Sequence, residues 1–160
     1  MHPVNRLSPA RTRLLLLGMT ALLAACSYLP GASLSPRDAA LRALADHQAQ
    51  WLAKGITNYA FTVARQCFCP SNDPVDVSVV AGVATKVTRG GQPVAPLDVQ
   101  GIPKTVPELF ALVSAQPASA GMTVEWDATF GFPSSIQVDP IANALDDEFG
   151  IVVTNFRPAS

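Results

Sequence analysis

Basic residues are missing from a long stretch of this chain. From Thr105 to Phe156 there are seven acids and no Lys or Arg. A continuous basic face of the kind that binds nucleic acid is excluded there. Histidine is scarcer still, with only His2 and His47, and cysteine is confined to Cys26, Cys67 and Cys69. So few nitrogen and sulfur ligands leave a four-ligand zinc site without its donors. No GxSxG elbow is present, and Gly90-Gly91 lacks the Lys-Ser/Thr and helix of a phosphate-binding loop. No cofactor is expected from these motifs. The main apolar run, Leu14 to Leu23, is about half the length a membrane-spanning helix needs.

What that run does have is the flanking of an export signal. Arg6, Arg11 and Arg13 precede it and small residues follow. It ends in Leu23-Ala24-Ala25-Cys26, which resembles the lipobox of bacterial lipoproteins. The resemblance implies cleavage before Cys26 and lipid on its thiol, so that residues 1–25 are a signal peptide. Two or more acyl chains hold a protein stably on a bilayer. The expected location is outside the cytoplasm, with the membrane itself as a partner through the lipid. Ser27, rather than Asp, follows the lipidated position, which resembles the default outer-membrane sorting signal of a bacterium with two membranes. The alternative is ordinary cleavage near Ala25 that leaves a free thiol.

Without residues 1–25, eight basic residues face twelve acidic ones, a net charge of about −4. No nucleic-acid partner is expected; an envelope protein or a cation fits better. The remaining 135 residues suffice for one domain with a core. Residues 26–35 read as a lipidated cysteine and short tether, and residues 36–158 as the domain.

Ser35, Pro36 and Asp38 form a helix start, and Leu41, Leu44, Ala45, Gln48, Trp51 and Leu52 follow helical spacing up to Gly55. Tyr59, Phe61 and Val63 alternate as a half-buried strand does. Val75, Val77 and Val79 repeat that pattern, and "VATKVT" returns after the turn Ala81-Gly82. Residues 90–103 read as a loop. Thr105-Val106-Pro107-Glu108 is a capping box that opens a second helix with Leu109, Phe110, Leu112 and Val113 on one face. "MTVEWD", "SSIQVD" and "GIVVTNF" then read as strands. The expected fold is α+β, an antiparallel sheet with two helices on one face, in the order helix, three strands, helix, three strands.

The residues Trp51, Tyr59-x-Phe61, Cys67-Phe68-Cys69, Thr105 with Leu109-Phe110, Trp126-Asp127, Gly131-Phe132-Pro133, Asp139 and Asp146-Asp147-Glu148 resemble a family of small exported bacterial proteins, the domain of unknown function 6174. The resemblance runs from about Asp38 to Pro158. It implies an α+β domain with frequent lipoprotein anchoring, and it carries over no particular activity. Trp126 stands where Tyr is the more frequent residue.

Three places carry candidate chemistry. Cys67 and Cys69 lie roughly 6.6 Å apart at Cα in a regular strand, so a bridge requires a bend, which Pro70 and "SNDP" favour. Four outcomes are open: a local disulfide, a thiol-redox pair, a soft-metal clip and two free thiols. A closed bridge contributes only about 1.6 kcal/mol by loop entropy. Phe130, Gly131, Phe132 and Pro133 read either as a turn between strands or as a binding tip with exposed aromatic anchors. Asp139, Asp146, Asp147 and Glu148 read as solvated or capping acids, or as ligands for a hard cation such as Ca²⁺, though not at EF-hand spacing. Acid/base catalysis by such a pair lacks any accompanying substrate motif.

Overall fold

A computed structural model describes residues 34–69, 71–141, 144 and 146–159. The expected signal peptide, Cys26 and the expected tether before Leu34 lie outside the described residues. Helix α1 spans Pro36–Lys54. The Ser35 hydroxyl caps it by accepting the Asp38 N–H at 3.1 Å, and Gly55 closes it in the left-handed region at φ 62°. Its inward face is Ala40 and Trp51, with Leu41 and Leu44 packed at the margin. Leu52, expected on that face, is 73% exposed. It adjoins Trp51 and so points nearly a third of a turn away.

Strands β1 (Tyr59–Cys67), β2 (Val75–Val80) and β3 (Val83–Arg89) follow. The segment expected as a loop then adds a two-residue strand, β4 (Gln92–Pro93), and a 3-10 turn at Pro96–Val99. Gly90 and Gly91 take φ 56° and 83°, the paired positive values that fold a tight hairpin with the twist of its strands. Val94 then donates to the Val87 carbonyl at 3.2 Å. Helix α2 (Val106–Ser114) precedes β5 (Gly121–Trp126), β6 (Pro133–Asp139) and β7 (Phe149–Pro158). Thr105 caps the Glu108 N–H at 3.2 Å, while the Glu108 carboxylate reaches past the cap to the Lys104 N–H at 2.8 Å.

All seven strands pair antiparallel in one sheet, in the order β4-β3-β2-β1-β7-β6-β5. The fold is therefore α+β, with two α-helices among the described residues, as the pattern implied. Its first half carries four strands instead of three, and the two halves join through β1 and β7. Tyr59 fixes both helices over the same sheet face. Its hydroxyl accepts the buried Val106 N–H at 2.9 Å, and its ring meets Trp51 edge-on at 5.5 Å. Burial raises the Tyr59 pKa above its ordinary value; the Val106 hydrogen bond opposes this and the Glu108 charge adds to it.

The core face carries Phe61, Val63, Val75, Val77, Ile136, Val138, Ile151 and Val153. Full burial of such side chains contributes roughly 1.5–3 kcal/mol each. In β7 the inward alternation Phe149, Ile151, Val153 would place Phe156 outward. A register shift opposite Ala60/Thr62, with Asn155 at φ 54°, inserts one extra residue. Phe156 thereby turns inward, 4.7 Å from Phe132 and 5.9 Å from Trp51.

Candidate functional site

Cys67 ends β1 and is bonded to Cys69 across a Cα separation of 5.3 Å. The bend that allows this is held by Asn72. Its Oδ1 accepts the Cys67 N–H at 3.2 Å, and its Nδ2 donates to the Cys67 carbonyl at 3.0 Å. Phe68, between the two cysteines, is 83% exposed. Beside them on β1, Arg65 lies over the Phe149 ring at 5.2 Å, with its Nε buried and unpartnered among the described residues. Sequence reasoning found the cysteines and missed Asn72 and Arg65, because an Asn two positions after a proline has many uses.

The turn after β5 is built on Asp127. Its Oδ1 accepts the N–H groups of Thr129 (2.9 Å) and Phe130 (2.7 Å), and its carbonyl accepts that of Gly131 at 2.8 Å. Gly131 adopts φ 84°, and a Cβ there would lie 2.9 Å from the His47 carbonyl. Only glycine allows the turn to pass this close to α1. Gln50 completes the contact by donating to the Ala128 carbonyl at 3.1 Å.

This close approach overturns the reading of exposed aromatic anchors. Phe132 is 2% exposed, Pro133 is fully buried, Gly131 is buried and Phe130 is partly so. The two rings stack 6.4 Å apart beneath Trp51 and Phe156. His47, one of the two histidines in the sequence, stacks on Trp126 at 4.3 Å with its Nδ1 buried. No local pattern joins residues so far apart.

The acids separate into two groups. Asp139 ends β6, Asp147 and Glu148 lead into β7, and one ligand atom from each lies within 4.8 Å of the others. The sheet register produces this meeting, since Val138 pairs with Phe149. Asp146 sits apart from the trio, exposed, at φ 67°. Asp139 Oδ1 and both carboxylate oxygens of Asp147 are buried without a hydrogen-bond partner among the described residues.

A groove of about 620 Å³ opens beside Asp139 and Glu148, closed on its other side by Ser35, Pro36, Arg37 and residues 118–121. Arg37 donates to the Gln116 carbonyl at 2.9 Å and lies 3.8 Å from Asp38, and its Nε is buried without a partner among the described residues. A second groove, of about 530 Å³, adjoins Cys67, Phe68, Cys69 and Asn72. Chemically the first offers oxygen ligands of one sign and the second an apolar surface over a disulfide. Among the described residues, no helix is long and apolar enough to cross a membrane.

No curated protein and no solved structure matches the chain. Residues 43–158 match the family described as "Family of unknown function (DUF6174)". That span takes in α1 from residue 43 onward, the whole of α2, all seven strands, the bridged cysteines and the acidic trio, so the chain belongs to this family.

Proposed function

We propose that the chain is a membrane-anchored bacterial lipoprotein whose α+β domain acts outside the cytoplasm as a binding or envelope-associated module. The observation that carries the reading is Leu23-Ala24-Ala25-Cys26 at the end of a short apolar run preceded by three arginines. Two features of the domain support it. A capped helix begins only ten residues after Cys26, at Pro36, which leaves room for a tether and nothing larger. The cysteines two residues apart are bonded to each other, as suits an oxidising compartment.

Binding is favoured over catalysis by the make-up of the larger groove, where carboxylates and a helix start offer charge and shape for a ligand. Cys26→Ala tests the anchor in the living cell. The variant should accumulate as an unprocessed precursor that takes no label from a fatty-acid probe, and normal labelling would end the proposal.

A further inference from the structure

We propose that Asp139, Asp147 and Glu148 form a Ca²⁺ site at the mouth of the larger groove. Ca²⁺ binds oxygen at 2.3–2.6 Å, so two oxygens on opposite sides of one ion stand up to about 5.2 Å apart. The trio, with its chosen oxygens within 4.8 Å of one another, already lies inside that limit. Mg²⁺, at 2.0–2.1 Å, sets the limit near 4.2 Å and holds its octahedron rigidly. The absence of sulfur or nitrogen from the set argues against a softer metal.

Proximity of acids alone would prove little, since exposed carboxylates often cluster. The second observation is what the Asp147 carboxylate lacks. Both its oxygens are buried, neither accepts a hydrogen bond, and Asp139 Oδ1 beside it is in the same state among the described residues. A buried carboxylate ordinarily takes several N–H donors or a cationic partner. No described Lys, Arg or His is ion-paired with any of the three. Two ionised groups facing each other in that condition repel, and one divalent cation satisfies all three oxygens at once.

The groove supplies the rest of the coordination shell. Ca²⁺ takes six to eight oxygens, and three carboxylates give three to six, so water from the open side completes the set. The proposal names a ligand for the binding module. It rests on that reading only for its setting, a compartment where calcium reaches the 10⁻⁴–10⁻³ M at which extracellular modules bind it.

The test uses the purified mature chain in detergent. Its unfolding midpoint is read with 10 mM CaCl₂, with MgCl₂ and with NaCl at matched ionic strength, and fatty-acid labelling is scored on the same sample. Calcium should raise the midpoint by about 4–10 °C, magnesium by clearly less, and NaCl hardly at all. Glu148→Gln, an exposed change that leaves the fold intact, should weaken calcium binding at least tenfold by titration calorimetry. Asp147→Asn should raise the midpoint without calcium and abolish the calcium response, whereas Asp98→Asn, far along the chain, should respond as the parent does. A midpoint indifferent to calcium, an equal rise with Mg²⁺ or NaCl, or full binding by Glu148→Gln would overturn the proposal. Loss of labelling with the calcium response intact would count against the anchor alone.

Discussion

Replacing Tyr59 by Phe removes one oxygen and tests how the second helix is fixed to the sheet. The ring stays, so its contacts with Trp51 and Phe61 are preserved. What is lost is the acceptor for the Val106 N–H at 2.9 Å, on a residue with no exposure to solvent. Val106 is the first residue of α2, where a helix has no internal partner for its N–H. An amide stranded in this way costs about 1–3 kcal/mol. For a domain of this size, that corresponds to a fall in midpoint of roughly 3–12 °C. Urea titration followed by tryptophan emission measures it, with an unchanged slope as the check that only stability moved.

The same variant carries a pH signature. Below the unfolded tyrosine pKa, near 10, the phenol is neutral in both states and its contribution is complete. Above it the unfolded chain loses the proton first, because burial holds the native value higher. Stability therefore falls as pH rises from the unfolded pKa through the native one. Tyr59→Phe removes this component of the alkaline loss. A loss below about 0.5 kcal/mol at neutral pH, or an alkaline slope identical to the parent's, would refute the role assigned to the hydroxyl.

Two further substitutions separate core from surface. Phe132→Ala should cost about 3–5 kcal/mol, enough to leave little folded protein, while Phe68→Ala should stay within about 0.5 kcal/mol; both are read by urea titration. Reversed effects would mean that the aromatic tip faces solvent after all. Gly131→Ala forces a side chain into a left-handed backbone and against the His47 carbonyl. It should cost at least about 1–3 kcal/mol, and a midpoint equal to the parent's would disprove the close approach.

The helices were legible because their ends are written in short-range chemistry. Ser35-Pro36-x-Asp38 and Thr105-Val106-Pro107-Glu108 leave little freedom in where a helix starts. The alternation in β1 and β2 was equally plain. Gly90-Gly91 announced a hairpin that was read as a loop, because the strand beyond it is only two residues long. The β1–β7 pairing was invisible, since nothing near Tyr59 or Pro158 records a partner so distant in sequence.

The same limit governed the sites. Alternation placed Ile136 and Val138 correctly but said nothing of Phe132, whose burial depends on Gly131 meeting α1. Asp146 looked no different from Asp147 as letters, yet it is exposed, takes φ 67° and is not among the three acids that meet. The bend that brings Cys67 to Cys69 was foreseeable from Pro70. Its clamp by Asn72 was not.

The strand order also sets a schedule. β1 to β4 can pair as soon as each has been made, and β5 can pair with β6, but β7 is the only strand that joins the two groups. It is the last of the seven to leave the ribosome. Until Phe149–Pro158 emerges, one side of β1 offers unmatched N–H and C=O groups next to Tyr59, Phe61 and Val63, the kind of edge that recruits other chains. The final join spans most of the domain, and such distant pairings form slowly. A chain cut short before Phe149 would thus be a seed for aggregation, and its hazard would come from what β1 was left waiting for.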